Sequence, residues 1–194
     1  QISVSNSLDE RLIQNLFLQG AQIDMFGVGE RMITAKSEPV FGGVYKLTAV
    51  ENDKGEIIPK IKCSENVEKI TIPHFKKVYR LYNRDNGKAI ADYMTVHDEV
   101  VDENEPLMLF DPYATWKTKN VCNFEARELL VPVFLNGKKV YQSPTLKDIQ
   151  AYCKQQVNTL WDEIKRFDNP QTYYVDLSQK LWDIQQELLR KNRN

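Results

Sequence analysis

Histidine and cysteine are scarce in this sequence, and their scarcity excludes several kinds of site. Among 194 residues there are two histidines, His74 and His97, and three cysteines, Cys63, Cys122 and Cys153. The cysteines are odd in number, far apart and form no C-x-x-C pair, so neither a disulfide framework nor a zinc knuckle is expected. Two histidines are too few for a multi-histidine metal site. We therefore expect no metal site in this chain. Free thiols fit a reducing compartment, so we expect a cytoplasmic protein.

The sequence also lacks a strong charge of either sign and any long apolar run. Its formal net charge is -1, with 27% charged and 42% hydrophobic residues, a composition that is ordinary for a soluble folded protein. No global field attracts nucleic acid or an anionic membrane. No apolar run approaches the roughly 20 residues that a bilayer span needs. We therefore expect neither nucleic acid nor a membrane as a partner.

A complete catalytic motif is missing as well. The sequence has no nucleophile beside a base, no cluster of metal ligands, no Walker loop and no complete dinucleotide fingerprint. It begins Gln1-Ile2-Ser3-Val4-Ser5, which has the pattern of a strand interior and lacks an initiator methionine. We therefore expect a truncated or proteolysed piece of a larger α/β enzyme.

The N-terminal segment has the pattern of a βαβ unit. Residues 2–5 and 23–26 predict parallel strands, and between them apolar residues recur at helical spacing. Ser7 with Glu10 three positions later predicts a capping box at the start of the helix. Gly20 stands where a helix end favours a left-handed residue.

The remainder predicts an antiparallel β-rich section followed by helices. Strands are predicted at residues 44–50, 76–83, 89–96 and 129–134, with turn chemistry at 86–87. Thr145 with Asp148 predicts the capping box of a long helix, whose apolar face extends from Leu146 to Ile164 and is expected to be buried. A last helix is predicted to begin at Asp176.

The loop Gly27-Val28-Gly29, directly after the second strand, is the strongest candidate for ligand binding. Glycine lets the backbone approach a phosphate, and loop N–H groups bind anions. In α/β barrels the loops after the last strands commonly do this work. A short G-x-G motif has low specificity, and a plain tight turn is the alternative. Ser5 and Asn6 end the preceding strand, so their side chains should face the same rim and could bind ribose hydroxyls.

Basic residues form two further clusters that could meet a pyrophosphate. One cluster is Lys76, Lys77, Arg80 and Arg84, and the other is Lys117 and Lys119. Solvated surface is the alternative interpretation for most of them. The sequence pattern does not assign a role to any of these residues.

Several stretches of this chain resemble the nicotinate phosphoribosyltransferase family in its bacterial form. They are residues 23–29 (IDMFGVG), 33–36 (ITAK), 43–47 (GVYKL), 65–69 (ENVEK), 110–112 (FDP), 123–132 (NFEARELLVP) and 174–178 (YVDLS). No single stretch is decisive, but their order and spacing hold across nearly the whole chain. The resemblance is to the C-terminal portion of the family's proteins.

The resemblance implies the C-terminal part of a type II phosphoribosyltransferase, an irregular α/β barrel with a β-rich domain and a helical C-terminal extension. Residues 1–38 would hold the last βα units of the barrel, 39–106 a segment of the β-rich domain, and 107–194 the extension, mixed and then helical. The family joins nicotinate to phosphoribosyl pyrophosphate on the route to NAD, hydrolyses ATP alongside and uses Mg²⁺. The implied partners are these small molecules and, in the full-length enzyme, a second copy of the chain. No tightly bound cofactor is implied.

The resemblance also implies roles for particular residues. The backbone that should hold the 5-phosphate of ribose is that of Gly27, Val28, Gly29 and Glu30. Ser5 and Asn6 should lie near the ribose. Family members commonly carry threonine where this chain has Glu30. Because a carboxylate repels a phosphate, the Glu30 side chain should point away and contribute only its amide.

No catalytic residue is expected in this chain. The histidine that the family phosphorylates, and the groups that grip nicotinate, belong to the preceding part, since neither His74 nor His97 stands in the family's histidine motif. The isolated chain is therefore expected to be inactive. Two alternatives stay open. One is a nicotinamide phosphoribosyltransferase-like enzyme, although residues 123–132 favour the nicotinate enzyme. The other is a non-catalytic interaction module built on the β section and the C-terminal helices.

Overall fold

The computed structural model describes residues 1–40 and 42–192. The chain forms two compact units, Gln1–Tyr45 and Lys46–Asn194. The predicted boundaries at residues 38 and 106 concern the architecture of the complete protein, and they stay predictions. No helix in the described part of the chain is both long enough and apolar enough to cross a bilayer.

The first unit contains the predicted βαβ arrangement. Its elements are β1 (Ser3–Ser5), α1 (Glu10–Leu18), β2 (Met25–Gly27) and α2 (Glu30–Ile33). β1 and β2 are parallel, with Ser5 opposite Gly27, as expected when a helix connects two neighbouring strands. Gly20 follows α1 with a left-handed φ of 80°, so the predicted helix end is confirmed.

The predicted start of α1 is wrong, because the N-cap is Asp9 rather than Ser7. The Asp9 carboxylate accepts the Leu12 N–H at 2.9 Å. An N-cap residue needs extended backbone, which Asp9 has with a φ of -137°. Ser7 has a left-handed φ of 50° instead. It belongs to the bend that leaves β1.

The second unit holds the remaining elements. They are β3 (Ala49–Glu51), β4 (Ile57–Pro59), a 3-10 turn (Val67–Lys69), β5 (Lys76–Asn83), β6 (Ala89–Val96), β7 (Leu107–Phe110), β8 (Thr118–Val121), β9 (Phe124–Glu128), β10 (Phe134–Leu135), β11 (Lys138–Lys139), α3 (Leu146–Thr159), β12 (Val175–Leu177) and α4 (Gln179–Lys191). Three antiparallel ribbons pair β3 with β4, β7 with β8, and β10 with β11. The strand predicted at 44–50 overlaps β3 only at its last two residues.

A four-stranded sheet in the order β12-β6-β5-β9 forms the centre of the second unit. β5 and β6 have the predicted bounds and pair antiparallel, and the turn between them has Gly87 at a φ of 66°. The strand predicted at 129–134 is wrong except for Phe134, which begins β10, because the residues that pair with β5 are those of β9. β9 buries Phe124 completely in the core, whereas Leu130 and Val131 are exposed.

The prediction that the last helix begins at Asp176 is also wrong. Asp176 is the middle residue of β12, which pairs in parallel with β6 and places Asp176 opposite Tyr93. α4 begins three residues later, behind Ser178, whose hydroxyl accepts the Leu181 N–H at 3.1 Å. Apolar residues recur through both the strand and the helix, so the sequence does not show where the strand ends and the helix begins.

Alternation along the strands divides the core of this unit into two faces. One face carries a buried cluster of Tyr79, Leu81, Ala91, Tyr93, Leu109, Val121 and Phe124, to which the β7–β8 ribbon contributes Leu109 and Val121. The other face carries Val96 and Leu177, against which Leu181 of α4 packs. The sheet is therefore covered by a β-ribbon on one side and by a helix on the other.

Helix α3 begins with the predicted capping box, in which Thr145 and Asp148 bond reciprocally. Its apolar face is not buried as predicted: 71% of Leu146 and 48% of Ile149 are exposed. The helix contacts the sheet through Gln156, which accepts hydrogen bonds from Tyr82 (3.0 Å) and Arg127 (2.6 Å). The periodicity identified which face is apolar, but it carried no information about whether a partner covers that face.

Candidate functional site

The candidate site lies where β1 and β2 end, in the first unit. Because the two strands are parallel and Ser5 is opposite Gly27, the chain leaves both strands at the same edge. After β1 it turns through Asn6 and Ser7, whose φ values are 91° and 50°. Left-handed backbone at consecutive non-glycine residues is uncommon and occurs often at functional sites. This bend directs residues 6–8 towards the loop that follows β2.

A cavity of about 350 Å³ opens between these two loops. Its lining residues are Asn6, Ser7, Leu8, Gly27, Gly29, Glu30, Arg31 and Lys36. The cavity is predominantly polar, with one carboxylate and two cations among its side chains. Such a lining suits a charged, hydrogen-bonding ligand better than an apolar one.

The two glycines of the loop serve different purposes. A Cβ on Gly27 would stand 3.1 Å from the Cβ of Ser5, so glycine permits the close approach of the two strand ends. A Cβ on Gly29 would meet no atom within 4 Å. Glycine at position 29 is thus not required by protein packing, and it leaves space at the cavity wall for a group that approaches the backbone.

The backbone of this loop presents hydrogen-bond donors. α2 begins at Glu30, and the Gly29 carbonyl accepts the N–H groups of Met32 (3.0 Å) and Ile33 (3.1 Å). The N–H groups of Gly29 and Glu30 donate to no group within the described residues. Unpaired amides that border a polar cavity can bind an anion.

The cation Arg31 is held by a partner outside the loop. Its guanidinium pairs with the carboxylate of Asp9, the residue that caps α1. The hydrogen bond from the Leu12 amide and the contact with Arg31 both hold the pKa of Asp9 below its usual value. Asp9 therefore stays ionised and fixes Arg31 at the cavity, while Lys36 supplies the second positive charge.

The structure brings most of the predicted site residues together. Asn6, Gly27, Gly29 and Glu30 line one cavity, Val28 lies between the two glycines, and Ser5 stands beside Gly27. Their assignment to a phosphate and a ribose stays a prediction. Four lining residues were not among the predicted site residues: Ser7, Leu8, Arg31 and Lys36. Ser7 was predicted to cap α1 instead, and Lys36 belongs to the stretch 33–36 that carries the family resemblance.

The first predicted basic cluster is largely engaged within the protein. The Lys76 ammonium donates to the carbonyls of residues 72, 73 and 74 at 2.9, 3.3 and 2.7 Å, and burial lowers its pKa. Arg80 pairs with Asp92, and Arg84 bonds Glu103 and the Phe124 carbonyl. These three cations thus stabilise the fold. Lys117 and Lys119, by contrast, line a cavity in the second unit.

The two histidines lie next to each other in the second unit. The rings of His74 and His97 stack with their centroids 5.8 Å apart. Across the described residues, no group of three or more His, Cys, Asp or Glu side chains is arranged to hold a metal ion.

Comparisons with known proteins agree on one family. The model of the nicotinate phosphoribosyltransferase C-terminal domain matches residues 75–185. The nicotinate phosphoribosyltransferase of Bacillus subtilis is 43% identical over 182 residues, which cover 94% of this chain and 37% of that protein. The enzyme of the same name from Caenorhabditis elegans is 33% identical over 193 residues, covering 98% of this chain and 33% of that protein.

A solved structure shares the fold. The crystal structure of human nicotinic acid phosphoribosyltransferase superposes with a TM-score of 0.70 at 23% identity, covering 97% of this chain and 33% of that one. The predicted fold, the C-terminal part of a type II phosphoribosyltransferase, is thereby confirmed. The chain spans about one third of the length of the relatives that it matches.

Proposed function

This chain belongs to the nicotinate phosphoribosyltransferase family, and from that premise we propose that it is the C-terminal part of an enzyme that makes nicotinate mononucleotide. The reaction joins nicotinate to the anomeric carbon of phosphoribosyl pyrophosphate, releases pyrophosphate, and is coupled to ATP hydrolysis. The three cysteines are free and exposed, which fits a reducing compartment. We place the enzyme in the cytoplasm.

Within that enzyme, this chain supplies the groups that hold the 5-phosphate of the ribose. The observation that carries the proposal is the polar cavity at the ends of β1 and β2, bordered by unpaired loop amides and two cations. A phosphate dianion takes N–H donors from residues 28–30 and charge from Arg31 and Lys36. The open space beside Gly29 lets the phosphate approach the main chain.

Ser5 and Asn6 lie at the strand end next to this loop, and we assign them to the ribose. The loop amides then hold the phosphate, and Ser5 and Asn6 hold the ribose hydroxyls. Together these contacts fix the anomeric carbon relative to the attacking nicotinate. Such positioning converts binding energy into a lower barrier for displacement. These residues orient the substrate and do not themselves exchange protons or electrons with it.

Glu30 is the unfavourable member of the site. Glu30 is exposed and lines the same cavity, so its negative charge opposes the binding of a dianion. Its amide donates to no group within the described residues, so that N–H is available to a ligand. We propose that Glu30 contributes through its backbone alone, and that its charge weakens phosphate binding.

The remaining machinery lies outside this chain. The phosphorylated histidine and the nicotinate-binding groups are assigned to the part of the relatives that this chain does not span. Mg²⁺ is assigned to the phosphate oxygens of the substrates and to groups in that same part, since Mg²⁺ commonly binds this way. The complete enzyme is proposed to be a homodimer. The 194-residue chain alone is predicted to show no turnover in a steady-state assay.

The test compares two variants of the complete gene product, Lys36→Gln and Lys54→Gln. Lys36 lines the cavity, whereas Lys54 lies in the exposed turn between β3 and β4. Loss of a charged hydrogen bond should raise KM for phosphoribosyl pyrophosphate by about tenfold or more in Lys36→Gln, and Lys54→Gln should match the parent enzyme. Nicotinate, and not nicotinamide, should support turnover.

Three results would count against the proposal. An unchanged KM in Lys36→Gln removes the phosphate site from this cavity. Preference for nicotinamide favours the nicotinamide enzyme instead. A complete gene product with no transferase activity on either base, and no heat of binding with nicotinate mononucleotide, leaves the interaction module as the better account.

A further inference from the structure

A second cavity, of about 160 Å³, lies in the second unit between the β7–β8 ribbon and strands β6 and β12. Its walls are apolar and include Ile90, Ala91, Leu109 and Phe110. Two stretches that carried the family resemblance, residues 110–112 and 174–178, meet at this place. Nothing in the proposed phosphoribosyl transfer uses the cavity.

Asp176 is the one buried residue among the four charged residues that line this cavity. Only 5% of its surface is exposed, and it is the middle residue of β12, opposite Tyr93. Paired residues on neighbouring strands point to the same face, so the carboxylate faces the side that the β7–β8 ribbon covers. It lines the cavity and takes no hydrogen bond or ion pair from any group in the described part of the chain. An unpaired carboxylate at such a depth is costly.

The other acidic group of the cavity is already satisfied. The Asp111 carboxylate accepts the N–H groups of Tyr113 (2.8 Å) and Ala114 (3.0 Å), and the Lys117 ammonium stands 3.9 Å from it. Lys117 is therefore the counter-charge of Asp111, and 63% of the Lys117 side chain is exposed. Asp111 adds a like charge beside Asp176. Lys119, the second cation of the lining, is exposed to water and pairs with no carboxylate in the described part of the chain, so Asp176 is left without a counter-charge.

We propose that this cavity binds a small organic cation, a primary ammonium group on a compact apolar body, with the ammonium donating to the Asp176 carboxylate. The apolar walls fit the body of such a ligand. The size is suitable, since an engineered apolar cavity of about 150 Å³ holds benzene. An anionic ligand is disfavoured, because Lys117 and Lys119 are exposed to water whereas the Asp176 carboxylate is buried.

Protonation of Asp176 should control this binding. Burial, and next the charge of Asp111, raise the pKa of Asp176 to about 6. The other charged or titratable groups at this place are Tyr93, with a pKa of about 12, and Tyr174, Lys117 and Lys119, which line the cavity. An ammonium ligand needs the ionised carboxylate, so its affinity should fall as acid protonates Asp176.

The experiment uses benzylamine as the probe and benzyl alcohol as its uncharged isostere, titrated into the 194-residue chain and followed by NMR shifts of the residues around the cavity. At about pH 7.5 benzylamine should bind saturably and at least about tenfold more tightly than benzyl alcohol. Asp176→Asn should lose this advantage, whereas Asp53→Asn, in the exposed turn between β3 and β4, should keep it.

The parent chain alone supplies a second measurement. Lowering the pH from about 7.5 to about 5 should weaken benzylamine binding several-fold and leave benzyl alcohol unaffected. The proposal is overturned if benzylamine fails to saturate, if both probes bind equally, or if Asp176→Asn retains the preference for the cation. Equal affinity for benzylamine and benzyl alcohol would mean that the cavity binds the apolar ring and does not distinguish a charged ligand from an uncharged one.

Discussion

Replacing Asp92 with alanine tests the ion pair that crosses the centre of the sheet. Asp92 on β6 and Arg80 on β5 are paired residues, and their side chains form two parallel hydrogen bonds of 2.8 and 3.0 Å. The Tyr173 hydroxyl donates a third bond to the same carboxylate at 2.9 Å. The Arg80 guanidinium also lies 5.6 Å from the centre of the Tyr173 ring.

The magnitude follows from how little water reaches the pair. The side chains of Arg80 and Asp92 are 22% and 13% exposed, so removing the carboxylate leaves a largely desolvated guanidinium without a counter-charge. Breaking such a pair from one side costs about 3 kcal/mol, the low end of the usual range because Arg80 keeps some contact with water. Tyr173→Phe removes one hydrogen bond and should cost about 1 kcal/mol.

The assay is urea denaturation followed by circular dichroism, with Asp98→Ala as the matched control. Asp98 also pairs with a cation, Lys180 at 2.8 Å, but both side chains are about half exposed. Water therefore replaces that partner, and the free energy of unfolding should change little. If Asp92→Ala and Asp98→Ala destabilise the chain equally, burial of the Arg80 pair does not determine its contribution.

Three further changes test other parts of the structure. Ser178→Ala removes the cap that holds the Leu181 amide and should lower the free energy of unfolding by about 1 kcal/mol in urea titrations; no loss would show that the cap is dispensable. Asp176→Asn should raise the urea midpoint at neutral pH and leave it unchanged near pH 3.8. The native pKa of Asp176, about 6, lies above the ordinary 3.8, so the ionised carboxylate costs the native state stability as the pH rises between these values. A pH-independent effect would contradict this. In the complete enzyme, Glu30→Thr should lower KM for phosphoribosyl pyrophosphate a few-fold by removing a repulsive charge, and an unchanged or higher KM would refute the repulsion.

The β5–β6 hairpin and the capping box of α3 were predicted correctly because their signals are local. A two-residue periodicity interrupted by Asn86-Gly87 fixes both strands and the turn between them. Thr145 and Asp148 satisfy each other's backbone groups within four residues. No distant contact was needed to specify either feature.

The errors arose where two local solutions compete. Ser7 and Asp9 both precede an apolar helix at capping distance, and the bend at Asn6-Ser7 decided in favour of Asp9. Residues 174–178 suit a strand as well as a helix start, and pairing with β6 decided for the strand. Tertiary contacts made both decisions, and a single sequence does not contain them.

The candidate site could be predicted only in part for a similar reason. Glycines and small polar residues after a strand indicate a loop that approaches a ligand, so residues 5–6 and 27–30 could be predicted as candidate ligand-binding residues. Arg31 and Lys36 have no distinguishing pattern on a charged surface. Their place at the cavity depends on the fold, and for Arg31 on the Asp9 carboxylate.

Strand β12 has a consequence for synthesis of the chain. It reaches the sheet from the C-terminal side, and its Val175 pairs with Asp92 of β6. A nascent chain that has left the ribosome as far as β9 therefore carries β6 with an unsatisfied edge, a surface open to pairing with other chains. This unit completes its sheet only after β12 has been synthesised, so chaperone protection of the β6 edge should matter most until then.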